Sequence, residues 1–312
     1  MSIDKTILVT GASGYIAGAL IPSLLEQGYR VRCLARHPER LAFREIFSRV
    51  ELVQGDVTDY ASVNRAMSGV HTAYYLVHNM DSGRAYHQRD MAGARNFARA
   101  AQEHGAEHII YLGGLADPHA KIGFHMRSRI QTGEALRSGT VPVTEFRASL
   151  IIGPGSISFE MIRYLTEQMP VMIGPRWMHY LTQPVAIQNV IEYLLAALES
   201  PVCRGKVYEI GGPDVMKYRE ALRNFARVRG LRRVIITVPE IPVALMAFVV
   251  DKITPVPYPI AYPLIDGMRS NSLVQDPKAL KDFPEIRPLD YPSSVQAALA
   301  RLTPASLERT WE

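Results

Sequence analysis

The stretch Val9-Thr10-Gly11-Ala12-Ser13-Gly14-Tyr15-Ile16-Ala17-Gly18 sets small residues in the pattern G-x-x-G-x-x-A where a β-branched run gives way to a helical pattern. There Gly11 permits a tight turn. Gly14, with Ser13, Tyr15 and Ile16 in the same turn, lets backbone N–H groups approach a pyrophosphate at the positive end of the helix dipole. Ala17, at the third small position, keeps helix and strand close. An ordinary strand-to-helix turn is the plainer reading, and the regular strands and helices that follow favour a dinucleotide site.

Arg36 ends the next strand, 25 residues past Gly11, where a site selective for NAD would place an acid on the ribose. A guanidinium cannot accept from the ribose 2′-hydroxyl, but it pairs with a 2′-phosphate and stacks on adenine, which predicts NADP(H) as the cofactor. The competing reading has Arg36 at a solvated strand end beside Glu39 and Arg40. Asp56, in Gly55-Asp56-Val57-Thr58-Asp59, can accept from an adenine amino group while Val57 offers the ring an apolar surface. Its plainer role is to cap a helix starting near Asp59 or Tyr60.

The elements that must hold these residues alternate. Strands are expected near Thr6–Thr10, Arg30–Ala35, Val50–Val53, Thr72–Val77, His108–Leu112 and Thr144–Ser149. Helices are expected at Tyr15–Gln27, Pro38–Phe47, Tyr60–Met67, Ala85–His104 and Gly123–Arg137. This is the rhythm of an α/β chain, a Rossmann-type doubly wound parallel sheet covered by helices on both faces. Past Gly153 prolines loosen the rhythm, leaving a helix at Ile187–Leu198 and a late strand at Lys206–Ile210. A helix at Tyr218–Arg229, a strand at Arg233–Val238 and a proline-rich run from Pro255 to Pro263 follow. The expected division is a dinucleotide-binding domain over residues 1–212 and a smaller C-terminal α/β lobe over 213–312 that walls a substrate or partner cleft.

Composition excludes several alternatives. Of 312 residues, 47% are hydrophobic, and 35 Lys+Arg against 30 Asp+Glu leave a formal charge of +5, which together rule out a disordered chain. Basic residues are scattered among acids, so no nucleic-acid partner is expected. Cys33 and Cys203, far apart in sequence, form no disulfide framework, and the histidines show no H-E-x-x-H spacing, so no metal site is expected. The opening residues lack a basic stretch followed by an apolar one, which predicts a cytoplasmic, reducing location. The longest apolar run, Ile241 to Val250, falls short of the ~20 residues that span a bilayer. The segment Ile241–Ile253, apolar on nearly every face, reads as core or a dimer contact. Its alternatives are the wall of a cleft for an apolar substrate or a peripheral foot on a membrane surface. A monomer and a homodimer both stay open.

Thr10-Gly11-Ala12-Ser13-Gly14-Tyr15-Ile16, Gly55-Asp56-Val57-Thr58-Asp59 and Ile110-Tyr111-Leu112 together resemble the short-chain dehydrogenase/reductase superfamily, in its atypical, NmrA-like branch. Gly113-Gly114-Leu115, Ser128-Arg129, Gly133-Glu134, Leu136-Arg137, Gln183-Pro184-Val185 and Tyr208-Glu209-Ile210-Gly211-Gly212-Pro213 are similar to bacterial NAD(P)-binding proteins related to an accessory subunit of respiratory complex I. The resemblance spans Lys5 to Pro213. It implies that Leu76 and Val77 lie near the adenosine and nicotinamide riboses, and Ala148 and Ser149 near the nicotinamide amide.

The catalytic pattern of that superfamily is broken here. Gly113-Gly114 stands where a serine polarises the substrate, and His125-Met126-Arg127-Ser128-Arg129 stands where Tyr-x-x-x-Lys donates the proton. Arg129 can hold a ribose or phosphate as the lysine would, or pair with Glu134, and His125 can shuttle a proton near neutral pH or sit as an ordinary surface residue. Tyr74, Tyr75, Tyr86 and Tyr111 are further candidates for the cleft. Two functions are expected from this set. One is an NADP(H)-dependent oxidoreductase that reduces a small apolar carbonyl or quinone. The other is a non-catalytic NADP(H)-binding redox sensor or accessory or assembly protein.

Overall fold

The computed structural model describes residues 3–77, 86–117, 119–120 and 122–302. The first half alternates β1 (Ile3–Thr10), α1 (Tyr15–Glu26), β2 (Tyr29–Ala35), α2 (Pro38–Leu41), β3 (Glu51–Gln54), α3 (Tyr60–Met67), β4 (Thr72–Tyr75), α4 (Tyr86–Glu103), β5 (His108–Gly114), α5 (Phe124–Leu136) and β6 (Val143–Ala148). The second half holds β7 (Ile151–Ile152), α6 (Ile157–Gln168), β8 (Val171–Pro175), β9 (Leu181–Thr182), β10 (Val185–Ala186), α7 (Ile187–Glu199), β11 (Val207–Ile210), β12 (Met216–Lys217), α8 (Tyr218–Val228), β13 (Val234–Val238), α9 (Val243–Ile253), α10 (Tyr258–Gly267), α11 (Lys278–Asp282) and α12 (Tyr291–Ala300).

Seven strands form one parallel sheet in the order β3-β2-β1-β4-β5-β6-β11. Successive strand residues face opposite sides, so Ile7 and Val9 pack with α1 and α7 while Leu8 packs with α3 and α4. The order reverses between β1 and β4, which opens a crevice beyond their carboxyl ends. This is the expected Rossmann-type sheet.

Two expected elements differ. The helix read over Pro38–Phe47 is split into α2 and a 3-10 turn at Glu45–Arg49. Leu41 and Phe47 are both buried, and a spacing of six would put them on different faces of one continuous helix, so the helix breaks to bury both. The strand read to Val77 stops at Tyr75, which frees Leu76 and Val77 to line the crevice. The helix expected from Ala85 begins, among the described residues, at Tyr86.

The second core lies beyond the sheet. β8 pairs with β13, and Phe159 and Ile162 of α6 pack with Leu222 and Phe225 of α8, so the residues of this core come from both sides of Gly212. α9 and α10 pack on α6 through Met161, Val250 and Ile260. Two of these helices arise where prolines had disguised them. Pro154 and Pro170 bracket α6, and in α10 Pro259 falls in the first turn, where no intrahelical N–H is required, while Pro263 sits inside the helix and gives up one intrahelical bond. No helix among the described residues is long and apolar enough to cross a membrane.

Candidate functional site

The crevice between β1 and β4 begins at Gly11. Its φ is +71°, and a Cβ there would stand 2.6 Å from the Leu76 carbonyl oxygen, so only glycine fits both the turn and the approach. The Thr10 hydroxyl straps the two strand ends together, donating to the Tyr74 carbonyl at 3.0 Å and accepting from the Leu76 N–H at 3.3 Å. Gly14 is the extended N-cap of α1 and offers no side-chain acceptor, and its N–H donates to the Gly11 carbonyl at 2.8 Å. The first turn of α1 thus faces the cleft with a positive dipole end and no acidic side chain.

At one end of the cleft stand three arginines, Arg36 at the end of β2 with Arg40 and Arg44 beyond it. Sequence reasoning named Arg36 only. The break after α2 is what brings Arg44 to the same wall. Asp56 lies opposite. Its carboxylate accepts from the Thr58 N–H and hydroxyl at 2.8 Å each and from Arg89 at 3.4 Å. Burial works against its charge, but these bonds and the nearby Arg89 and Arg36 guanidiniums prevail and hold it below the usual carboxylate range. The helix cap is supplied instead by Asp59, which accepts from the Ala61 and Ser62 N–H groups.

At the other end Arg129 projects from α5 to donate to the Val77 carbonyl at 3.4 Å and to the Leu112 carbonyl, with its guanidinium 5.0 Å from the Tyr111 ring centroid. It therefore ties the ends of β4 and β5 rather than pairing with Glu134. His125, 9% exposed, lines the cleft one turn before it. The glycines at the expected serine position are closely packed. A Cβ on Gly113 would lie 3.1 Å from the buried Glu145 carboxylate, and one on Gly114 would strike the Met126 sulfur. Glu145 is held by Arg137 and Arg147.

All fourteen residues expected at the cofactor or reaction centre, from Gly11 to Ser149, line this one cleft of about 730 Å³. The tyrosine candidates do not join them. Tyr74, Tyr75 and Tyr111 are fully buried in the sheet, the Tyr74 hydroxyl donating to Leu194 and that of Tyr111 to the Arg129 carbonyl. The Tyr86 side chain lies outside the described residues. The phenols that do line the cleft are Tyr15, packed against Gly153, and Tyr218, the first residue of α8. Burial, with the Glu160 charge second, pushes the Tyr15 hydroxyl well up, and it finds no partner among the described residues.

Tyr218 was missed. β9 and β12 pair Thr182 with Met216, and this brings the Thr182 hydroxyl beside the Tyr218 phenol and 2.8 Å from the Ser149 hydroxyl. Two-residue strands carry no periodic signal, so only the aromatic residue at a helix start was legible. Beyond Tyr218 the cleft widens into a chamber walled by Met161, Leu165, Trp177, Leu222, Met246 and Val250. The segment Ile241–Ile253 thus supplies part of that wall through α9, while its Leu245 and Phe248 point outward, 52% and 53% exposed. Among the described residues no cluster of metal-ligating side chains occurs.

The sequence profile of the NAD(P)H-binding family matches residues 11–136. The chain is 33% identical over 233 residues to the (4-alkanoyl-5-oxo-2,5-dihydrofuran-3-yl)methyl phosphate reductase of Streptomyces griseus, an alignment covering 72% of this chain and 74% of that one. Among solved structures, the triphenylmethane reductase of a Citrobacter species superposes with a TM-score of 0.72 at 21% identity, over 95% of this chain and 99% of its own. The Bordetella bronchiseptica enzyme WbmG, in complex with NAD and UDP, superposes with a TM-score of 0.73 at 16% identity, over 100% and 97%. At these identities the two structures establish the fold.

Proposed function

This chain is an NAD(P)H-binding member of the atypical short-chain dehydrogenases/reductases, and we propose that it acts as an NADP(H)-dependent oxidoreductase reducing a small apolar carbonyl or quinone. The observation that carries this reading is the continuity of a single cleft. It runs from Arg36, Arg40 and Arg44, past the Gly11 turn, to a chamber walled by aliphatic, methionine and tryptophan side chains.

The donor set fits the cofactor. Gly11 lets the turn close against the Leu76 backbone, the N-terminus of α1 suits a pyrophosphate, and the three arginines suit a 2′-phosphate. Asp56 and Val57 would take the adenine, Leu76 and Val77 the riboses, and Ala148 and Ser149 the amide. Arg129 would act by holding the Val77 and Leu112 carbonyls that shape the nicotinamide end. When bound, a reduced nicotinamide supplies a hydride. The apolar wall of the chamber favours an uncharged acceptor. The reductase named for the Streptomyces griseus relative supports the direction of the reaction.

Purified protein should oxidise NADPH with at least one member of a panel of apolar quinones and carbonyls. NADPH binding without oxidation by any of them would overturn the proposal. That result would favour the second reading, a cofactor-holding sensor or accessory protein, whose support is the Gly113-Gly114 pair and the missing Tyr-x-x-x-Lys. It would show a difference in affinity between oxidised and reduced cofactor, or a partner recovered with the protein.

A further inference from the structure

Carbonyl reduction requires a proton as well as a hydride, and neither the serine nor the tyrosine and lysine that usually manage it are present. Tyr218 occupies the cleft from the opposite side. The β9–β12 pairing anchors it, its own N–H donates to the Tyr180 carbonyl at 3.2 Å, and Glu220 caps the helix it opens by accepting from the Lys217 N–H at 2.8 Å. Its neighbour Thr182 is fully buried, and the Thr182 hydroxyl lies 2.8 Å from that of Ser149 at the end of β6.

Resting on the reductase reading, we propose that Tyr218 is the proton donor of the reaction, with Thr182 and Ser149 forming the hydroxyl relay that reprotonates it. As the acceptor's carbonyl carbon takes a hydride from the reduced dinucleotide, the C=O π pair moves to oxygen. That oxygen takes the Tyr218 proton. The phenolate recovers one from Thr182, Thr182 from Ser149, and Ser149 from water in the cleft. One hydride and one proton are added across the C=O bond, and all three hydroxyls are restored.

Two features suit Tyr218 to the task. It is the first residue of α8, where the positive end of the helix dipole favours a transient phenolate. Burial pushes its phenol up to about 12, against the lowering effect of Thr182, so it is protonated at neutral pH and still more acidic than the alcohol formed on the substrate. The fully buried Tyr74, Tyr75 and Tyr111 have no such access.

The test compares two acceptors of NADPH hydride, an apolar aldehyde that needs a proton and a cationic triarylmethane dye that does not. Tyr218→Phe should lower the ratio of aldehyde to dye reduction by about 100-fold, and Thr182→Val should lower it by about 10-fold with rescue in Thr182→Ser. Independently of turnover, the ring-carbon NMR resonance of Tyr218 in tyrosine-labelled protein, assigned by its loss in Tyr218→Phe, should move on addition of NADP⁺ and in Thr182→Val. A ratio within about 3-fold of wild type in Tyr218→Phe, or a resonance indifferent to NADP⁺, overturns the assignment. Wild-type protein that passes hydride to neither acceptor overturns the reductase reading and the assignment together, whereas an unchanged ratio overturns the assignment alone.

Discussion

Gly11 and Leu76 meet across the reversal of the sheet, with the space for a Cβ on Gly11 only 2.6 Å from the Leu76 carbonyl oxygen. The same glycine turns with φ at +71°, so an added methyl group is opposed twice, by backbone strain of ~1–2 kcal/mol and by a carbonyl on β4's rigid extension. Gly11→Ala should therefore weaken NADPH binding by about 100-fold or more, close to 3 kcal/mol. Titration calorimetry with folded variant, checked by circular dichroism, reads this directly. Retained affinity would contradict the cradle.

Arg36 sets cofactor choice in the proposed function. Replacing a charge-assisted phosphate contact with a carboxylate removes attraction and adds repulsion, worth ~1.5–3 kcal/mol for the lost bond alone. Arg36→Asp should weaken NADPH by at least about 10-fold and leave NADH within about 3-fold. Because Arg40 and Arg44 share the wall, the Arg36→Asp, Arg40→Ala double variant should lose more. Unchanged selectivity in the single variant would remove the basis for NADP(H).

In the proposed function Arg129 takes the place of a lysine without its geometry. Its guanidinium serves two carbonyls, Val77 and Leu112, from two nitrogens while lying over the Tyr111 ring. A lysine ammonium presents one nitrogen and does not reproduce the fork. Arg129→Lys should thus lower stability by ~1–2 kcal/mol and weaken cofactor binding, and the melting temperature and NADPH titration together check it. A fully stable Lys variant would mean that the fork does not hold the strand ends.

The loop, the sheet and the residues lining the cleft were legible because each belongs to one strand-turn-helix unit, in which local spacing dictates geometry. α3 lies where its pattern predicts, over Tyr60–Met67, with Asp59 as its cap. The illegible parts depend on contacts between distant segments. α6 and α10 lay hidden beside or beneath prolines, of which α10 carries Pro263 in its interior, and Tyr218 meets Thr182 only through strands of two residues. Tyr75 and Tyr111 looked available because alternation along a strand does not reveal that both faces of this sheet are covered.

His108 gives the fold a pH dependence. It is fully buried on β5, and the Thr144 hydroxyl, itself donating to the Cys203 carbonyl at 2.7 Å, accepts from its Nε2 at 2.7 Å. Nδ1 has no partner among the described residues, so protonation would bury an unbonded N–H. Burial, with the Arg204 and His71 charges behind it, lowers the imidazole to about 4. Below about 6.5 the unfolded chain takes a proton that the folded chain refuses until about 4. Stability should hold above that window and fall as pH drops through it, by up to roughly 3 kcal/mol. Denaturant midpoints from pH 7 to pH 5 measure the slope, and His108→Gln should flatten it; an equal slope in the variant would assign it elsewhere.

In the proposed function one cleft takes NADPH and an apolar acceptor side by side, and a crystal structure of the NADPH complex would show both. Pyrophosphate should lie on the Gly11–Ile16 turn, the 2′-phosphate among Arg36, Arg40 and Arg44, and the nicotinamide beside Ser149, open to the chamber that holds Tyr218. A dinucleotide bound away from the Gly11 turn, or a nicotinamide sealed from that chamber, would contradict it.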